Sequence, residues 1–276
     1  MEMQTVNKLI QMALNEDIGS GDITTDNLID PKLEGRGVLI AKEPLVLAGI
    51  DIAGRVFHHL DPAIDFQALL SDGDAADTGD TLAHLRGNLA ALLKGERTAL
   101  NFLQRLSGIA TQVDAYVRLI KGSPVQLVDT RKTTPGWRVL EKYAVRMGGA
   151  HNHRMGLYDG VLIKDNHIAA FGGIAGALMH IRKHVSHLVK IEVETSTQAE
   201  VEEALQAGAD VIMLDNMSLE DIKTAVEVIR HAALVEVSGN VTRTDLPVLA
   251  AAGVDIISVG ALTHGARSVD ISMKII

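Results

Sequence analysis

After residue 108 the chain alternates between two rhythms. Short runs of Val, Ile and Leu occupy 125–128, 161–163, 189–193, 211–214, 234–237 and 256–259. Between them, at about 109–121, 136–149, 172–187, 197–207, 218–230 and 244–252, apolar positions recur at helical spacing. The short runs show little polar alternation, which predicts strands covered on both faces. Strands alternating with helices predict a parallel sheet. The phrases QAGADVIMLDN and AAGVDIISVGA resemble each other, each a helix end, a Gly, then an Asp before a strand, and read as a repeated βα unit.

The first hundred residues follow a different pattern. Residues 3–15 predict a helix through Val6, Leu9, Ile10, Ala13 and Leu14, and DIGSGDITTDNLI reads as a polar loop. Residues 37–41 read as a strand and 45–50 as a further element. The Asp- and Gly-rich stretch 61–86 predicts short antiparallel strands. Residues 89–106 predict a long, mostly buried helix, or two helices if Gly95 interrupts it.

Each strand-like run of the second part ends in polar residues: Asp129 to Lys132, Lys164 to His167, Glu194, Asp215 and Asn216, Ser238 to Asn240, and Gly260. In a parallel barrel these ends share one face, where active sites form. An open doubly wound sheet would spread them along an edge, so their convergence favours a closed barrel.

Composition narrows the ligand. The chain is acidic, with 35 Asp and Glu against 26 Lys and Arg, yet residues 131–164 hold seven Lys or Arg against Glu141 and Asp159. Basic groups at the mouths of buried strands suit a small, multiply anionic ligand. A net charge of −9 and few aromatic residues disfavour nucleic acid. No apolar run is long enough to cross a membrane, and the N-terminal residues do not read as a signal peptide. With no cysteine, the composition fits a cytoplasmic location and excludes thiolate chemistry.

Arg131, Arg154 and His153 are candidates for holding a carboxylated substrate, because guanidinium groups grip carboxylates bidentately. Lys132 and Lys164 then serve substrate or phosphate. Glu194 and Asp215 can hold ribose hydroxyls, ligate magnesium or stabilise positive charge on a sugar. The glycine turns at Ser238, Gly239, Asn240 and Gly260 offer backbone amides to phosphate. His151 and His153 make only a weak metal motif. Arg97, within an apolar helical stretch, either snorkels or meets an anion, and can enter a site from a neighbouring domain or subunit. No Walker lysine, dinucleotide glycine motif or serine nucleophile elbow is present.

The segments GERTALNFLQRLSGIAT, DTRKTTPGWRVLEKYAVRMGGAHNHRMGLYD, VLIKDNHI, KIEVET, VIMLDN, EVSGN and DIISVGAL resemble the quinolinate phosphoribosyltransferases over essentially the full length. The resemblance implies an α/β fold with two domains. One is an N-terminal α/β sandwich, residues 1–107 joined by a returning strand at 268–276. The other is an irregular six-stranded α/β barrel over 108–267. It implies transfer of the phosphoribosyl group of phosphoribosyl pyrophosphate to quinolinate with loss of carbon dioxide, using Mg2+. It further implies a homodimer, or an assembly of dimers, in which Arg97 reaches the partner's site. By the same resemblance Arg97, Arg131, His153, Arg154 and Lys164 bind quinolinate, and Lys132, Glu194 and Asp215 carry catalysis. Glu194 and Asp215 ligate the metal, directly or through water. Thr130, Lys132, Ser238, Gly239, Asn240 and Gly260 hold phosphates. A paralogue of the same fold binding another anion, of the molybdenum-transport-associated type, and a non-catalytic metabolite binder are the alternatives.

Overall fold

The computed structural model describes residues 3–276, in two compact units. The first comprises the chain up to residue 114 together with 134–149 and 265–276. It opens with α1 (Met3–Ile18) and α2 (Ile23–Leu28), then β1 (Glu34–Ala41) and β2 (Leu45–Val46). The stretch read as a polar loop therefore contains a short helix. Asp22 caps it, accepting from the amides of Thr24 and Thr25, in a segment too short to show periodicity. Next come α3 (Ile50–Leu60), β3 (Asp65–Ala68), β4 (Ala75–Ala76) and β5 (Thr81–Asn88). A four-stranded sheet forms with β1 between β5 and the C-terminal strand (Ile271–Ile275), and β3 outside β5, all antiparallel. Leu39 of β1 sits opposite Met273 and Ala83, which joins the last residues of the chain to the first sheet.

The main helix of this unit, α4 (Leu89–Val117), is continuous through Gly95. A Cβ at that glycine would lie 2.8 Å from the Phe57 ring of α3, so Gly95 marks a close approach and not a break. Leu92, Leu100, Phe102 and Leu103 of α4 are fully buried. Phe102 stacks on Trp137, with ring centroids 4.8 Å apart, at the start of α5 (Arg138–Met147). Gly108 is the tightest contact. A Cβ there would meet the Arg267 carbonyl oxygen at 2.0 Å, closer than any side chain permits.

The second unit covers 115–133 and 150–264. Its strands are β6 (Gln126–Val128), β7 (Val161–Ile163), β8 (Ile191–Thr195), β9 (Val211–Asp215), β10 (Leu234–Ser238) and β11 (Ile256–Ser258). They are parallel, in the order β6-β11-β10-β9-β8-β7. Its helices are α6 (Asp165–Phe171), α7 (Ile174–Arg182), α8 (Gln198–Gln206), α9 (Leu219–Ile229) and α10 (Leu246–Ala251) between the strands, with α11 (Ala261–His264) after β11. Their starts are set by local chemistry: Thr197 and Glu200 form a capping box at α8, and Ser218 caps α9. Ile191, Val193, Ile212, Leu214 and Ile257 are buried, as two-sided coverage requires. The free edge of β6 is taken by the segment at His151, which exchanges backbone bonds with Leu127 and Asp129. This six-stranded sheet is that of an irregular α/β barrel.

Candidate active site

All six strand ends of the second unit open into one cavity of about 650 Å³. Its wall includes residues that follow β6 and β7, although these strands stand at opposite ends of the sheet order. The sheet therefore curls until its two ends face a common space. Thr130, Arg131, Lys132, His153, Arg154, Lys164, Glu194, Asp215, Ser238, Gly239, Asn240 and Gly260 all line it. Arg97 does not; it lies exposed on α4, in the first unit.

The end of β6 is held by a buried acid. Asp129 accepts from the Asn152 side chain at 2.6 Å and from the His153 amide at 2.9 Å, so the 152–154 segment is tied to the strand carrying Arg131. The Arg131 Nε is buried and has no hydrogen-bond partner among the described residues. Arg154 donates to the Gly160 carbonyl at 3.0 Å. Burial, and next the Arg131 charge, weaken the Arg154 guanidinium's hold on its proton, while the Glu192 carboxylate opposes them. Two guanidinium groups that repel one another and face a cavity call for an anion between them.

Lys132 lies over Gly260: a Cβ there would come within 2.8 Å of the Lys132 Cδ. The Thr263 hydroxyl also donates to the Lys132 carbonyl at 2.7 Å. From β7, Lys164 reaches the Glu194 carboxylate of β8 at 2.9 Å. Asp215 at the end of β9 accepts from Asn216 at 2.8 Å, and Asn216 in turn accepts from Asn240 at 3.1 Å. Gly239 makes this chain of bonds possible. Its φ is +93°, and a Cβ would fall 2.4 Å from the Asn216 side-chain oxygen.

Beneath the basic groups lies a buried cluster that sequence reading passed over. His153 Nε2 is 3.1 Å from Glu192 and 3.6 Å from Glu236. The ligand atoms of the three lie within 4.8 Å of one another, near enough to share a divalent cation. His151, the other half of the weak histidine motif, is exposed and outside this group. Burial, reinforced by the Glu192 charge, pushes the Glu236 carboxyl up to about 7. The signal available was an acid inside an otherwise apolar strand, as in KIEVET and LVEVS. His264 and Asn216 also line the cavity without having been singled out as site residues.

The raised pKa of Glu236 fixes a sign. The folded state holds its proton more firmly than the unfolded chain, so this group's contribution is full below pH 4.5. It is lost as pH rises to about 7 and is level above. Glu236→Gln keeps the shape and removes the titration. Across that window the wild type should lose melting temperature relative to the variant by on the order of 5 °C. Thermal melts of both proteins from pH 4 to 8 check this, and a difference independent of pH would refute it.

Two family models match the chain. Quinolinate phosphoribosyl transferase, N-terminal domain, matches residues 22–107, and the C-terminal domain of the same description matches 109–274. The chain is 47% identical to a probable nicotinate-nucleotide pyrophosphorylase (carboxylating) of Synechocystis, over 97% of this chain and 91% of the relative. To the protein of the same description in Bacillus subtilis it is 44% identical, over 97% and 92%. Among solved structures it is similar to the nicotinate-nucleotide pyrophosphorylase of Francisella tularensis. The TM-score is 0.96 at 41% identity, covering 100% of this chain and 98% of that one.

Proposed function

The chain belongs to the quinolinate phosphoribosyltransferase family, and from that premise we propose how its residues divide the work of the reaction. It joins quinolinate to phosphoribosyl pyrophosphate, giving nicotinate mononucleotide, pyrophosphate and carbon dioxide. One observation carries the division of labour: a single cavity in which Arg131, Lys132, Arg154 and Lys164 face the carboxylates of Glu194 and Asp215.

Arg131 and Arg154, with Lys164 beside them, take the two carboxylates of quinolinate, and His153 steadies Arg154 by accepting from its amide. Lys132 and Thr130 meet phosphate at the β6 end, and the turns at 238–240 and 260 hold the 5′-phosphate. The pyridine nitrogen is itself the nucleophile and needs no side chain to activate it, so the protein's task is alignment with ribose C1. Positive charge developing on the ribosyl ring is met by Glu194 and Asp215. After transfer, the positively charged pyridinium ring accepts the electron pair left by the departing 2-carboxylate.

Magnesium fits the donors present at the cavity mouth. Glu194 and Asp215 are hard oxygen ligands facing a space with room for water and substrate phosphates, as this ion prefers. When bound there, it would offset negative charge on the leaving pyrophosphate. Arg97, exposed on its helix, belongs by this reading to the site of a second copy in a homodimer or an assembly of dimers. A cytoplasmic location completes the reading, supported by the cysteine-free composition.

The test is pyrophosphate release from phosphoribosyl pyrophosphate and magnesium, with quinolinate and nicotinate in parallel. Release with quinolinate alone is expected. Release only with nicotinate would make the protein a non-decarboxylating transferase. No release with either would leave a binder of another anion.

A further inference from the structure

The cluster of His153, Glu192 and Glu236, two of whose members line the cavity, is placed to do more than fill space. Glu192 and Glu236 stand on β8 and β10, on either side of β9, and are 7% and 1% exposed within strands otherwise rich in Val and Ile. Burying two acids among such neighbours is unfavourable unless they are gripped by partners. The partner they share is the His153 ring.

Both nitrogens of that ring are assigned by their contacts. Nδ1 lies 2.8 Å from the Arg154 amide, which can only donate, so Nδ1 accepts. The ring proton therefore resides on Nε2, the atom that faces Glu192 at 3.1 Å. The same assignment argues against a cation among these three side chains. A ligating Nε2 needs its lone pair, and a ring accepting at Nδ1 while binding metal at Nε2 would have lost both protons.

The remaining carboxyl oxygens, Oε1 of each acid, are buried without a donor among the described residues. The pair therefore brings negative charge to His153 and the basic groups beside it. This charge acts on the substrate groups: Glu192 is the carboxylate that opposes the effect of Arg131 on Arg154. The residue is anchored through its backbone as well, because the His153 amide donates to Asp129. Arg154 is the next residue, bonded to that ring through its own amide.

We infer that Glu192 and Glu236 are a positioning pair for the dicarboxylate site: they grip His153 through Nε2 and carry the negative charge that lets Arg131 and Arg154 stand together before quinolinate arrives. This rests on the reading that Arg131 and Arg154 bind quinolinate. Neither acid needs to touch substrate. Their removal should alter the binding of the dicarboxylate and leave the phosphoribosyl side of the site alone.

The pair can be tested by steady-state kinetics on Glu192→Gln, Glu236→Gln, the double variant and Arg154→Ala. Each single change leaves one carboxylate and one amide able to bond to each other, and should raise the quinolinate KM at most about threefold. The double variant loses the charge and should raise it roughly tenfold or more, with the phosphoribosyl pyrophosphate KM within about twofold. An unmoved quinolinate KM in the double variant, with Arg154→Ala strongly impaired, would overturn the pair while sparing the substrate site. An unmoved KM in Arg154→Ala would take down the site reading and this inference with it. A second measurement does not depend on the double variant folding. The 15N spectrum of labelled histidine in the wild type should show His153 protonated at Nε2 in its neutral form. A proton on Nδ1 instead, or a stoichiometric divalent ion retained by the wild type and lost in Glu236→Gln, would overturn the assignment.

Discussion

Arg154→Ala should raise the KM for quinolinate by roughly 10- to 150-fold, the value of one charge-assisted hydrogen bond to a carboxylate. The KM for phosphoribosyl pyrophosphate and kcat should change by less than about threefold. The guanidinium is already anchored by Gly160 and partly stripped of water, so little ordering remains to be done when a carboxylate binds. Substrate also relieves the repulsion between Arg131 and Arg154, a gain lost with either arginine. Arg154→Lys should recover only part of the loss. An ammonium cannot reproduce a planar pair of donors, and it would not reach the Gly160 carbonyl in the same geometry. Initial-rate kinetics over both substrates separate these effects. A quinolinate KM unchanged in Arg154→Ala would remove this arginine from the substrate site.

Much of this site was legible because a parallel strand covered on both faces leaves few places for polar groups. VIMLD is apolar until it leaves the sheet, so Asp215 announces the face on which it emerges. The same logic hid Glu192 and Glu236. Their importance depends on His153 arriving from a distant segment, and no local pattern encodes that meeting. In the first unit, periodicity located α1 and the core of α4 but not the continuity of α4 through Gly95. Glycine is punctuation in sequence, whereas here the Phe57 ring occupies the space that a side chain would take. The helix from Ile50 to Leu60 was missed for a related reason. Only its first residue was read, as the end of a preceding element, although Ile52, Ala53, Val56 and Phe57 make one buried face.

Glu194→Gln and Asp215→Asn should each lower kcat, and the two losses should differ. Both changes preserve shape. At position 215 an amide oxygen can still accept from Asn216, so the bond chain to Asn240 survives while the charge goes. Removing a preorganised charge aimed at developing transition-state charge typically lowers kcat by roughly 10²- to 10³-fold. Asp215→Asn should reach that range. Glu194 is paired with Lys164 at 2.9 Å, so part of its field is cancelled before the sugar develops charge, and Glu194→Gln should fall nearer tenfold. Freed from its acid, Lys164 then becomes a stronger anion site, and the KM for quinolinate should fall or stay level in Glu194→Gln. Single-turnover rates at saturating substrates isolate the chemical step from product release. If both variants keep kcat within about threefold of wild type, charge stabilisation by these carboxylates is not what drives transfer. If the two losses are equal, Lys164 does not shield Glu194 in the reacting complex, and its ammonium has moved to the substrate before the bond to pyrophosphate breaks.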